Sequence, residues 1–99
     1  MIPTTFHIEV TPRTMLTMNQ TKYRQLCQQG FRFEIADFLT RHCEGDPGDG
    51  NPRLTDAMNR SATPVHFVSC FLLPDGRRVE IRSHFDPDGT IHRMIIELP

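Results

Sequence analysis

Three histidines, His66, His84 and His92, are the residues whose spacing first suggests chemistry. Each falls in an alternating apolar and polar run beyond residue 64, and Pro-Asp-Gly triplets at 74–76 and 87–89 separate those runs. If each triplet is a three-residue hairpin loop, His66 lies opposite His84, and His84 opposite His92. Their Cβ atoms would then be ~5 Å apart on neighbouring strands, and neutral imidazole is a good ligand for Zn²⁺ or Ni²⁺. A straight row is a poorer site than a convergent trio, because its outer members sit ~9.6 Å apart. Without metal, the same row is a polar sheet face whose protonation below about pH 6 weakens the fold.

A second constellation is the run EGDPGDGNP at residues 44–52, in which Glu44, Asp46 and Asp49 place three carboxylates close together. Hard cations such as Ca²⁺ are held by clusters of this type. The run lacks the D-x-D-x-D-G spacing and the distal Glu of an EF-hand, so its acids are expected to make Asx-type turns and face water. A conformationally restricted loop loses less entropy when it docks. Glu44, Asp46, Asp49 and Asn51 are therefore the candidate partner-binding residues. His42, just before the loop, lies on an apolar stripe and is expected to be partly buried and hydrogen-bonded to the Gly-Asp turn.

Arg77, Arg78, Arg82 and Arg93 can share the sheet region with His84 and His92, and single-strand binders join such cations to exposed aromatics. Here Phe67, Phe71 and Phe85 alternate as core residues should, while Glu80 and Glu97 offset the arginines. Cross-strand salt bridging is the competing account of the same residues. No G-x-S-x-G, G-x-x-x-x-G-K or H-E-x-x-H signature is present. Cys43 follows His42 directly, so on a helix the two project about 100° apart, which disfavours a nucleophile–base pair. No catalytic residue and no cofactor is assigned.

The elements that must position these groups are legible from periodicity. Residues 5–10 alternate, with Phe6, Ile8 and Val10 on one side, as in a half-buried N-terminal strand. Thr17 and Gln20 resemble a capping box opening a helix through Tyr23, Leu26 and Cys27 to Gly30. Phe31, Ile35, Phe38, Leu39 and His42 form one stripe of a second helix, which should pack on the sheet through Ile35 and Leu39. Asn51 can cap a third helix with Pro52 at its first position, and Leu54, Ala57 and Met58 can face the core. Residues 65–73, 77–85 and 90–98 read as three strands joined by the two Pro-Asp-Gly turns, each a type I turn with a G1 bulge. The expectation is one α+β domain over residues 1–99: an N-terminal strand, two to three short helices, then a three-stranded antiparallel β-meander.

Composition limits the functions open to such a chain. Its 99 residues make one domain of ordinary size, and an apolar share of 37% with seven Phe supplies a core without metal or disulfide staples. The net charge of −1 builds no strong field for non-specific nucleic-acid or membrane binding. No apolar run approaches the ~18 residues of a membrane span. Cys27, Cys43 and Cys70 form an odd set without a C-x-x-C pair, which fits reduced thiols and a cytoplasmic location.

Thr11-Pro12, Phe38-Leu39, Arg41-His42, Gly45-Asp46, Gly48-Asp49, Pro74-Asp75-Gly76 and the closing Leu98-Pro99 occur in that order. In this the chain resembles a family of small, uncharacterised proteobacterial proteins encoded on plasmids and other mobile elements, although Pro47 stands where that family prefers Trp. The resemblance implies a shared fold and a mobile-element origin, and it brings no activity with it. The expected function is a non-enzymatic accessory protein of a phage, plasmid or other mobile element. It would bind a host or competitor protein and inhibit a defence system such as CRISPR or restriction. Two other classes remain open: a metal-dependent enzyme or metal sensor using His66, His84 and His92, and a small nucleic-acid-binding regulator. The oligomeric state is left open.

Overall fold

A computed structural model describes residue 8, residues 10–61 and residues 66–99. In chain order the elements are β1 (Met15–Met18), α1 (Gln20–Gln28), α2 (Arg32–Cys43), α3 (Pro52–Ser61), β2 (His66–Leu72), β3 (Arg78–Phe85) and β4 (Ile91–Glu97). The strands form one sheet in the order β1-β4-β3-β2, antiparallel within the meander and parallel between β1 and β4. The α+β class and the meander are as the sequence indicates, and the added parallel strand makes the sheet mixed.

Both meander turns follow their sequence. Leu73 N–H donates to the Arg77 carbonyl and Asp86 N–H to the Thr90 carbonyl, each at 2.8 Å, closing three-residue loops. Gly76 and Gly89 take φ of 90° and 87°, the left-handed residue that follows a type I turn.

The N-terminal region differs from expectation. Thr5, Phe6, His7 and Glu9 lie outside the described residues, and Ile8 and Val10 belong to no strand. The strand that joins the sheet is Met15–Met18, where Leu16 pairs with Met94 and Met18 with Ile96. Three of its four residues are exposed, so it shows no alternation for a sequence reading to detect. The capping box is also displaced: Asn19 Oδ1 accepts from Lys22 N–H at 2.9 Å, so Asn19 caps α1, in line with the stronger capping preference of Asn over Thr.

One face of the sheet is covered by α1 and α2. Phe67, Phe71, Val79, Ile81, Met94 and Ile96 point to it and close over Leu26, Ile35 and Phe38, with Ile8 sealing one side. Phe38 stacks on Phe71 with ring centroids 4.8 Å apart and planes 5° from parallel. Phe38 is 5% exposed whereas Leu39 is only partly buried, so the α2 contact runs mainly through Ile35 and Phe38, and Leu39, the residue expected beside Ile35, packs at the margin of the core. Advance by one position turns a side chain about 100° around a helix, and only one of two adjacent apolar residues can point straight at the sheet.

At its C-terminus α2 is stopped by Gly45, whose φ of 84° lets two amides turn back. Gly45 N–H donates to the His42 carbonyl and Asp46 N–H to the Arg41 carbonyl, both at 3.0 Å, a Schellman closure. The chain then crosses to β2, the outer strand of the meander. There Cys70 N–H donates to the Pro47 carbonyl and Gly50 N–H to the Cys70 carbonyl, both at 2.9 Å. A Cβ on Gly48 would lie 2.1 Å from the Cys70 oxygen, so only glycine lets the loop lie this close to the strand.

Asn51 Oδ1 caps α3 by accepting from Leu54 N–H at 3.3 Å, as expected. The helix does not face the core through Leu54 and Ala57, which are exposed, and the Met58 side chain lies outside the described residues. Thr55 is buried instead, and Asn59 lies against β2. The Asn59 amide forms two bonds to Val68, from Nδ2 to its carbonyl at 2.9 Å and to Oδ1 from its N–H at 2.8 Å. α3 thus binds the strand edge through a polar side chain, which a search for an apolar stripe overlooks.

Two stability measurements check this packing. Phe38→Ala should lower the unfolding free energy by ~3–5 kcal/mol, and Leu39→Ala by less than half as much; equal losses in urea titrations would place the contact on the wrong residue. Gly48→Ala should cost ~2–4 kcal/mol through the combined clash and positive-φ strain, and a variant as stable as the parent would show that the loop does not lie against Cys70.

Candidate functional site

His42 is fully buried, at 0% exposure, and both ring nitrogens are bonded. Nδ1 lies 2.7 Å from Ser69 Oγ on β2, and Nε2 lies 2.7 Å from Ser83 Oγ on β3. Ser69 Oγ also donates to the Asp46 carbonyl at 2.6 Å. A serine hydroxyl has one proton, so Ser69 must accept from Nδ1–H. The ring is then the Nδ1–H tautomer, and Nε2 accepts from the Ser83 hydroxyl. The expectation of a hydrogen-bonded His42 tied to the Gly-Asp turn is met through Ser69, and the burial is complete where partial burial was expected.

Asp46 joins the same network from the loop. Its Oδ2 receives Arg41 Nε at 2.8 Å and its Oδ1 receives Gly48 N–H at 2.8 Å. The Arg41 guanidinium also lies 4.8 Å from the Phe71 ring centroid, covering the core beside His42. Of the four loop residues expected to bind a partner, Asp46 and Asn51 are thus engaged within the fold, while Glu44 and Asp49 are exposed.

Desolvation drives the His42 pKa down from its ordinary 6.5 to about 4. Sealed from solvent and held at both nitrogens, the ring braces α2 against β2 and β3 and has no path to exchange a proton with a ligand. Burial likewise pushes the Cys43 and Cys70 thiols above their ordinary values, so neither is poised as a thiolate nucleophile.

The opposite face of the sheet carries the other candidates. Across β2, β3 and β4, residues pair in rows: His66–His84–Arg93, then Val68–Arg82–Ile95, then Cys70–Glu80–Glu97. The expected pairing of His66 with His84 is present, with ring centroids 6.2 Å apart. The expected pairing of His84 with His92 is not, because a bulge between His84 and Phe85 shifts the register of β4 by one residue. Phe85 pairs with Ile91 and His84 with Arg93, leaving His92 as the extra residue. His92 Nδ1 instead lies 3.8 Å from Asp86. Among the described residues, no group of three or more His, Cys, Asp or Glu could hold a metal ion.

The four arginines separate in the same way. Arg77 turns to the covered side of the sheet, where its guanidinium bonds Asp75 and Gln29 and lies 5.7 Å from the Phe31 ring centroid. Arg82 is held by Glu80 through Nε. Arg78 and Arg93 are exposed and make no ion pair among the described residues. Burial first, and then His66, Arg93 and Arg82, lower the pKa of His84, so this row is an electropositive corner.

The two edges of the sheet are unlike. β2 is bonded along its outer side by Asn59, Pro47 and Gly50. β1 is the other outer strand; no described residue bonds its far side, and Met15 and Leu16 are 52% and 58% exposed. No helix among the described residues is long and apolar enough to cross a membrane.

No family model, curated protein or solved structure matches this chain.

The sign of the His42 shift fixes its pH dependence. The unfolded ring takes up a proton near pH 6.5 and the folded ring only near 4, so acid favours the unfolded state. This contribution is fully present above about pH 6.5 and declines by about 3 kcal/mol as the pH falls to 4. Denaturant titrations across that window should show the fall, and NMR should report an Nδ1–H ring that stays neutral at pH 5; a ring titrating near 6.5 would show that it is not sealed. Ser69→Ala should destabilise more than Ser83→Ala, because it strips partners from both the ring and the Asp46 carbonyl, and each should cost ~1–3 kcal/mol.

Proposed function

We propose that this chain is a protein-binding module that captures an extended segment of its partner along β1. The observation that carries this reading is the contrast between the sheet edges. An outer strand presents a row of unpaired N–H and C=O groups, and proteins that do not use such an edge blunt it with charge, proline or covering structure. β2 is covered by a loop backbone and an asparagine clamp. β1, of sequence Met-Leu-Thr-Met, has neither charge nor proline and exposes two large apolar side chains. Strand addition draws affinity from main-chain bonds and specificity from alternate side-chain contacts, and Met15 and Leu16, on opposite faces, supply one contact on each side of the sheet.

The resemblance to proteins of mobile elements supports the accessory role stated above, with a component of a host or competitor defence system as the partner. Glu44 and Asp49 lie beside the opposite edge and would form a second contact for a partner large enough to span the sheet.

Leu16→Lys adds an edge charge at a position already exposed to water. It should abolish stoichiometric capture of a protein from host extract while leaving the melting temperature within a few degrees. The wild-type complex should also protect amides of β1 from hydrogen exchange. Retained capture by the variant, or protection elsewhere without protection of β1, would overturn the reading.

A further inference from the structure

We infer that the row His66–His84–Arg93, on the sheet face turned away from α1 and α2, is a binding site for a phosphate group. The row is built by strand register: His84 on β3 pairs with His66 on β2 and with Arg93 on β4. Side chains at directly paired positions leave the same face of the sheet at neighbouring spacings of ~4.8 Å. The two imidazoles lie 6.2 Å apart between centroids, close enough for one tetrahedral anion to accept an N–H from each. Arg93 makes no ion pair among the described residues, so its forked donors are available for the bidentate contact that guanidinium makes with phosphate.

The surrounding charges favour an anion at this corner. Arg82 stands in the next row, and its Nε holds Glu80, the nearest carboxylate along β3. Glu97 is paired with Glu80 in the row beyond. On the turn side, Asp86 is directed to His92 at 3.8 Å. The bulge matters for this reason: by setting Arg93 and not His92 opposite His84, it converts a straight row of three imidazoles, a poor metal site, into two imidazoles beside a guanidinium. That donor set repels a metal cation and suits an oxyanion.

The phosphate could belong to a small phosphorylated molecule or to a nucleic-acid backbone, and one experiment separates them. The ¹⁵N-labelled protein is titrated at pH 7 and constant ionic strength with inorganic phosphate, and in parallel with a short single-stranded oligonucleotide lacking terminal phosphates. The expected result is saturable movement of the His66 and His84 ring signals and of Arg93 Nε with at least one probe. In Arg93→Gln, and in the double variant His84→Asn with Arg93→Gln, affinity should fall about tenfold or more, the loss of a charge-assisted contact. His92→Asn should bind as the parent does. The positions are solvent-facing, and the amide spectrum of each variant reports its fold. Tighter binding of the oligonucleotide identifies a phosphodiester strand as the source, and binding of phosphate alone identifies a small phosphorylated ligand. Shifts that rise linearly without saturation for both probes, or an unchanged affinity in the double variant, would overturn the inference.

Discussion

A polar ring buried to 0% exposure must have every hydrogen-bonding group satisfied, and that requirement at His42 organises most of the molecule. The ring nitrogens fix two serines on different strands, so α2 cannot slide or rotate on β2 and β3 without breaking one of the bonds. Ser69 then fixes the Asp46 carbonyl, and Asp46 fixes Arg41 and Gly48. A single imidazole therefore sets the register of a helix, two strands and a loop. An apolar residue of similar volume could fill the space, but it would specify the arrangement less narrowly, because dispersion contacts have no direction.

The loop that hangs from this network has a second task. It is bonded to Cys70 through Pro47 and Gly50, and α3 continues the same edge at Val68. The middle of the outer side of β2, at Val68 and Cys70, is thus paired without a further strand. The acidic character of the loop is compatible with this, because Asp46 is neutralised by Arg41 while Glu44 and Asp49 reach water. What reads in sequence as a conformationally restricted acidic loop facing water is, in space, bonded along the edge of the sheet.

Legibility in the sequence followed the locality of the cause. The Pro-Asp-Gly turns and the Asn51 cap are each decided by a few adjacent residues, and both could be read directly. The helix α2 was legible as a stripe, although the stripe could not say which of Phe38 and Leu39 points at the sheet. Features decided by distant partners were hidden. β1 is a strand because β4 offers it an edge, since its own four residues carry no alternation. The displacement of His92 depends on one extra residue in β4, and a register argument counted outward from the turn cannot detect it. Ser69 and Ser83 were missed as functional partners of His42 for the same reason. A serine at an inward position of an otherwise apolar strand was the available signal, since a buried hydroxyl needs a partner of its own.

These outcomes are why the proposed interaction surface lies at β1 and not at the acidic loop. The sequence points to the acidic loop as the contact region, but two of its four candidate side chains are consumed by the fold, and its backbone is bonded to β2. A segment so committed cannot rearrange around a partner without exposing the buried His42 network, which makes it a costly place to build an adaptable contact. β1 has the opposite properties. Among the described residues it is tied to the sheet along one side only, it exposes the apolar Met15 and Leu16, and its far edge can accept a strand without disturbing a bond already made. The face between the two edges has a different character again: its bulged corner holds two imidazoles and Arg93 with Arg82 in the next row, Glu80 and Glu97 lie two rows away, and Arg78 stands at the far end. The same sheet thus separates a closed edge that maintains the fold, a free edge suited to a polypeptide and a polar corner suited to an anion. The one-residue bulge in β4 is what keeps the last from being a row of three histidines.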